Sequence, residues 1–513
     1  MLLRLTTSTL LISAAFSQSA MAATACENLA SLKLPDTTIT VATRVAAGAF
    51  VATEGNARAR DPKTYKDLPA FCRVAGVIKP SADSNIKFEV WMPLEKWNER
   101  FQGVGNGGLA GTLSYTAMAG ALADGYATAS TDTGHAAENG GTALWAMGSP
   151  ERIKDFGHRA VHEMTAKSKA VVAAYYGSKP RYSYWIGCSE GGRQGMGEAQ
   201  RYPEDYDGIV AGAPVFGWTR TQTRNLGLQK IQRDDPASFV PGSKLKVLHQ
   251  EVMNQCDALD GVKDAVITHP PACKLDWSKI ICKAGDQPNC LTPSQAKLMQ
   301  ADYAGSFNAR TGERLMFGHA VGFEIEHGER TDFAETPPAN RLEASAFWRY
   351  FVFDDPRWDG AKFDFDKDVE FADKKAGADM NNFDPDLRAF KARGGKLLHY
   401  HGWWDAQPTP YNSIDYHARV QKELGGEVSD FYRLFMVPGM GHCGGGPGTD
   451  QFDKIGTIRA WVEEGKAPDM IHAEHRTDGK VDRSRPLCPH PQVARYKGSG
   501  STDDAANFVC ARP

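Results

Sequence analysis

The residues best equipped for chemistry in this chain lie in WIGCSEGGRQG, Trp185 to Gly195. A serine with glycine two positions before it and two after, as in Gly187-Cys188-Ser189-Glu190-Gly191, has the spacing of a nucleophile on a sharp strand-to-helix turn, where only small flanking residues fit. The neighbouring thiol competes for that role. If Cys188 attacked, the flanking positions would be Ile186 and Glu190, both too large for the turn, so Ser189 is the expected nucleophile. A serine needs a base, and the base needs an orienting carboxylate. Asp405, in HGWWDAQPTP, and His442, in VPGMGHCGGG, supply both in the chain order serine, acid, histidine. The negative oxygen of a tetrahedral intermediate also needs amide donors. The N–H of Glu190 is one, and Gly107 or Gly108 in GVGNGGLAG, Gly103 to Gly111, is the other. That glycine-rich loop lacks the spacing and the later acidic residue of a dinucleotide site.

Elements in strand-helix rhythm must hold these residues. Ile86 to Leu94, Phe101 to Asn106, Tyr126 to Asp132, Tyr182 to Gly187 and Tyr206 to Pro214 read as strands, and a helical pattern from Arg152 ends at Gly177. The rhythm resumes at Gly394 to Gln407 and Tyr432 to Cys443. This predicts an α/β fold with a doubly wound, mostly parallel sheet over 23–214 and 394–513. Ser189, Asp405 and His442 then fall at strand ends, where such sheets gather their chemistry. Residues 215–393 read as an inserted lid domain. His399 and His401 flank the strand before Asp405 and read as sheet or supporting residues, and Asp132 and His135 in TDTGH as structural ones.

Composition limits the alternatives. Over 513 residues the net charge is -3, with 42% hydrophobic and 24% charged residues, which argues for a globular core and against a nucleic-acid partner. Residues 1–22 carry Arg4, a short apolar run and Ala20-Met21-Ala22, the features of a signal peptide cut after Ala22. The mature chain is expected to be secreted or periplasmic, with no membrane span. In that setting ten cysteines suggest disulfides. Cys256, Cys273, Cys282 and Cys290 are clustered, Cys488 and Cys510 could close the C-terminal segment, and Cys26 could reach Cys72. Cys188 and Cys443 are left, each beside a reactive residue.

CDALDGVKDAVI, Cys256 to Ile267, sets Asp257, Asp260 and Asp264 around a glycine. Such an oxygen-rich loop suits a hard cation such as Ca²⁺, though the spacing is not that of an EF-hand.

With GCSEGG, HGWWD and GHCGGG together, the sequence resembles the tannase and feruloyl esterase family, which also contains mono(2-hydroxyethyl) terephthalate hydrolase. The resemblance implies an α/β-hydrolase core with a large lid, a triad of Ser189, Asp405 and His442, and a disulfide between Cys188 and Cys443. It further implies Cys26–Cys72, Cys256–Cys273, Cys282–Cys290 and Cys488–Cys510, and a lid calcium held by Asp257, Asp260, Asp264 and the carbonyls of Val262 and Val266. The expected activity is hydrolysis of small aromatic esters, feruloyl esters first, with gallate esters and terephthalate monoesters as rivals. Phe347, Trp348 and Tyr350 could stack on the acyl ring and Arg349 could meet a carboxylate or hydroxyl; the competing reading makes these aromatics lid core. An inactive calcium-stabilised binding protein and a cysteine hydrolase using Cys188 are the alternatives from other classes.

Overall fold

The computed structural model describes residues 23–136, 143–308, 310–325 and 346–513, so the expected leader lies outside it. Its centre is a nine-stranded sheet built from β1 (Thr37–Val45), β2 (Phe71–Ile78), β3 (Ile86–Pro93), β4 (Arg100–Val104), β5 (Ala127–Thr131), β6 (Tyr182–Cys188), β7 (Gly208–Gly212), β8 (Lys396–Gly402) and β9 (Tyr432–Val437). Their order across the sheet is β1-β2-β3-β5-β4-β6-β7-β8-β9. From β5 to β9 the pairings are parallel, whereas β1, β2, β3 and β5 pair antiparallel, so the sheet is mixed. The two outer strands are the part that strand-helix alternation did not foreshadow.

Side-chain alternation separates two cores. Trp185, Ile209 and Leu397 face one layer of buried apolar residues, and their neighbours Tyr184, Val210 and Leu398 face another. Burial on both faces explains why these strands read as nearly continuous apolar runs. The helices used below are α1 (Ala160–Tyr176), α2 (Glu190–Arg201), α3 (Trp218–Asp234) and α4 (Pro410–Leu424). Helix α1 ends where expected, at Gly177 with φ 74°.

β7 and β8 are direct neighbours in the sheet, with Gly212 opposite Tyr400. The chain between them, 213–395, adds no strand to this sheet among the described residues. It packs instead into two apolar clusters, one around Trp348, Phe351 and Phe363 and one around Leu248, Leu291 and Phe323. All ten cysteines are paired, as Cys26–Cys72, Cys188–Cys443, Cys256–Cys273, Cys282–Cys290 and Cys488–Cys510.

Candidate active site

The register brings the ends of three strands together. Cys188 at the end of β6 lies opposite Gly212 of β7, and Gly402 at the end of β8 lies opposite Val437 of β9. The segments that leave these ends carry Ser189, Asp405 and His442.

Ser189 sits between β6 and α2 with φ 63° and ψ -120°, a backbone state that costs a side-chain-bearing residue on the order of 1–3 kcal/mol. The surroundings enforce it. Ser189 N donates to Gly212 O at 2.9 Å, and Cys188 is bonded to Cys443. A Cβ at Gly187 would lie 2.4 Å from Gly191 O, and one at Gly192 would lie 2.1 Å from Gly212 O. The glycines around the serine therefore permit close approach of helix and strand, despite the helix propensity they forfeit.

His442 Nε2 is 2.8 Å from Ser189 Oγ, and His442 Nδ1 is 2.8 Å from Asp405 Oδ2. Asp405 is fully buried and His442 is 8% exposed, so this chain of hydrogen bonds is shielded from water. Burial alone would raise the Asp405 carboxyl, but His442 and His401 overcome it and hold the group well below the usual carboxylate range. Asp405 Oδ1 also accepts from Gln407 N at 2.8 Å. Such an arrangement can deprotonate a hydroxyl and stabilise the imidazolium that results.

The candidate donors lie beside it. Glu190 N begins α2 and has no acceptor inside its own helix. A Cβ placed on Gly107 or Gly108 would meet nothing within 4 Å, so both glycines border open space. Asn106 anchors this loop: its N donates to Gln194 Oε1 at 3.1 Å, and Gln194 Nε2 donates to Asn106 Oδ1 at 3.1 Å. Asn106 O accepts from Gly191 N at 2.8 Å, while its Nδ2 donates to Thr112 O and Thr131 O. Glu190 contributes a second support through its side chain, ion-paired with a fully buried Arg193 that also donates to Gly157 O and Phe156 O. Trp218 Nε1 donates to Glu190 Oε2 at 2.9 Å. Sequence reasoning missed Asn106, Gln194, Arg193 and Trp218. The available signal was Arg193 and Gln194 set among Gly191, Gly192, Gly195 and Gly197 in the first turns of α2.

The aromatic segment needs correction. Phe347 stacks on Phe351 and at 6.3 Å on Trp218, which places it one residue away from Glu190. Trp348 is fully buried against Phe363, Trp358 and Phe353, so it is core and cannot stack on a substrate in this arrangement. Arg349 Nε donates to Trp358 O at 2.8 Å and so ties the segment to its own loop. Tyr350 packs partly buried on the same cluster. His135 stacks on Trp145 at 3.8 Å, and its Nε2 is 2.7 Å from Leu109 O in the glycine-rich loop. Burial pushes its imidazole down to about 4, so it is neutral there and Nε2 donates. Asp132 Oδ1 accepts from Lys87 N and Gly134 N.

In the acidic loop, Asp257 accepts from the amides of Asp264 and Ala265, Asp260 from Val262 N, and Asp264 from Val266 N. Arg485 pairs with Asp264 Oδ2 at 2.6 Å, and Arg483 donates to Asp264 O. Among the described residues no three carboxylate, imidazole or thiolate groups converge as metal ligands. Burial, with Asp264 and Asp257 close by, pushes the Asp260 carboxyl up.

Comparison with known proteins agrees with this architecture. The family model described as tannase and feruloyl esterase matches residues 72–511. An uncharacterised esterase of Xanthomonas campestris pv. campestris is 37% identical over 99% of this chain and 95% of its own length. The mono(2-hydroxyethyl) terephthalate hydrolase of Piscinibacter sakaiensis is 34% identical over 87% of this chain and 85% of its own. The crystal structure of feruloyl esterase B from Aspergillus oryzae superposes with a TM-score of 0.85 at 30% identity, covering 95% of this chain and 99% of that one. The strained serine, the shielded histidine and carboxylate, and these matches lead to one conclusion: the chain belongs to the tannase and feruloyl esterase family and is a carboxylic ester hydrolase.

Proposed function

We propose that this esterase cleaves esters of small aromatic acids, feruloyl-type esters first, through an acyl-enzyme on Ser189. The observation that carries the reading is the hydrogen-bonded series Ser189, His442, Asp405 at three strand ends. His442 takes the Ser189 proton as Oγ attacks the ester carbonyl, and Asp405 orients the imidazole. The amides of Glu190 and of Gly107 or Gly108 hold the oxyanion, and His442 returns the proton to the departing alcohol. Water, deprotonated in turn by His442, releases the acid. Trp218, bonded to Glu190, and Phe347, stacked on it, offer aromatic surface for the acyl ring.

The test is a panel of methyl ferulate, methyl gallate and mono(2-hydroxyethyl) terephthalate. Methyl ferulate is expected to give the highest kcat/KM, and a preference for either other ester moves the substrate assignment within the family. Ser189→Ala is expected to lower kcat by about 10⁴-fold or more while ligand binding persists. Retained hydrolysis would remove Ser189 from its role.

Two further parts belong to this reading. Export from the cytoplasm is supported by five disulfides, and no helix among the described residues is long and apolar enough to cross a membrane. A structural Ca²⁺ is supported by the chemistry of the acidic loop, where three carboxylates fall within ten residues of chain and burial pushes the Asp260 carboxyl up. Asp257, Asp260, Asp264 and the carbonyls of Val262 and Val266 would hold it, and it would supply positive charge that fixes the loop. Asp264 would then have to share its carboxylate between the ion and Arg485.

A further inference from the structure

His401, on β8, is fully buried four residues before Asp405. Its Nε2 is 3.0 Å from Pro408 O and 3.3 Å from Asp405 Oδ2, and its Nδ1 is 2.6 Å from Ser413 Oγ on α4. Both neighbours of Nε2 are acceptors, so that nitrogen carries a proton, and the Ser413 hydroxyl donates to Nδ1; the tautomer is assigned from these partners. Asp405 Oδ2 thus faces two imidazoles, His442 and His401, while Oδ1 is taken by Gln407 N.

We propose that His401 is a positioning residue, whose Nε2–H, fixed by Ser413 and Pro408, holds the Asp405 carboxylate in the rotation that serves His442. The proposal rests on the reading of Ser189, His442 and Asp405 given above. A carboxylate with a single imidazole partner can turn about its Cβ–Cγ bond and offer that imidazole a poorer line. The single Nε2–H of His401, shared between Pro408 O at 3.0 Å and Asp405 Oδ2 at 3.3 Å, restrains this freedom, as outer partners do for ligating or catalytic groups generally. Asp405 also feels Arg224 of α3, which bonds to His319, itself paired with Asp302. His442 comes from the loop after β9 and His401 from β8.

Two effects follow from losing His401. Misalignment lowers kcat, and the less solvated Asp405 carboxylate holds the His442 proton more strongly, which moves the acid limb of kcat/KM to higher pH. The experiment measures kcat, KM and the pH profile on a chromogenic aryl ester for His401→Leu, His401→Gln and Ser413→Ala, alone and combined with Asp405→Asn. His401→Leu is expected to lower kcat about 10- to 100-fold with KM changed by less than about threefold. His401→Gln keeps an N–H donor and recovers most of the loss and of the pH shift. Ser413→Ala gives a several-fold loss in the same direction and decides the question if the leucine variant does not fold. In the Asp405→Asn background the same substitutions add less than about twofold, because the residue acts through Asp405. Unchanged kcat in a folded His401→Leu or in Ser413→Ala overturns the proposal, as does an undiminished loss on top of Asp405→Asn. Ser189→Ala, assayed alongside, separates the two readings. Turnover there overturns the catalytic assignment itself, whereas a dead Ser189→Ala with undisturbed His401 variants overturns the positioning role alone.

Discussion

At the scale of single residues, the serine is held in an unfavourable backbone state by neighbours that have no room to relax. Gly192→Ala tests this directly, because its Cβ would sit 2.1 Å from the Gly212 carbonyl oxygen and backbone would have to move. A loss of about 1–3 kcal/mol is expected, read as a lower melting temperature, together with reduced kcat as Ser189 shifts. A second test concerns Asp132, whose carboxyl burial pushes up to about 7. Unfolded, it titrates near about 3.9. The folded state therefore keeps the proton longer, and the stability from this group is present at low pH and lost as pH rises from about 4 to about 7. Asp132→Asn retains the acceptor oxygen and abolishes the titration, so its melting temperature relative to the unsubstituted protein should be higher at pH 8 than at pH 5. An equal difference at both values would show that Asp132 does not titrate in that window.

At the scale of elements, a strand, a turn and a helix present the serine, and a side-chain clamp fixes the facing loop. Gln194 on α2 holds both the amide and the side chain of Asn106. Gln194→Ala should loosen the loop carrying Gly107 and Gly108 and lower kcat, by less than the about 10²–10³-fold typical of deleting an oxyanion donor outright. A stopped assay showing changed KM and unchanged kcat would assign the clamp to substrate binding instead. This scale also separates what was legible in the sequence from what was not. Gly187, Gly191 and the strand ends before Asp405 and His442 could be read because turns, small residues and alternation are local signals. The pairing of Asn106 with Gln194 spans 88 positions, and that of Trp218 with Glu190 spans 28; neither leaves a periodic trace. Strands β1 and β2 fall outside the strand-helix rhythm because they pair antiparallel with only short helical turns between them, so no alternation announces them. An aromatic run looks the same in sequence whether it faces a cleft or a core, so only burial decides between the two readings of Trp348.

At the scale of the whole molecule, the long excursion between β7 and β8 is joined to the C-terminal part of the chain through the acidic loop, where Arg483 and Arg485 of a separate antiparallel pair, Ile471–Thr477 with Lys480–Leu487, reach Asp264. If Ca²⁺ fixes that loop, chelation with EGTA should lower the melting temperature by several degrees and added Ca²⁺ should restore it. Asp260→Ala should remove the response, and a chelation-insensitive protein would sink the calcium assignment. Reduction of Cys188–Cys443 should act earlier than unfolding. Drift between Ser189 and the His442 loop is expected to cost about 10²-fold in rate while the far-ultraviolet circular dichroism stays constant, and simultaneous loss of both would make the bond a purely global staple.

The connectivity of the disulfides bears on how such a chain matures. Four of the five bonds join cysteines that are consecutive in order: Cys26 with Cys72, Cys256 with Cys273, Cys282 with Cys290, and Cys488 with Cys510. Cys188 instead has to wait 255 residues for Cys443 while four other thiols pass. An oxidase that joins thiols in order of emergence would tie Cys188 to Cys256 and leave the last strands to arrive at a mispaired partner. Correct assembly therefore calls for thiol–disulfide exchange after the whole chain has been delivered, and a host without a disulfide isomerase should yield protein whose defect is concentrated at the serine.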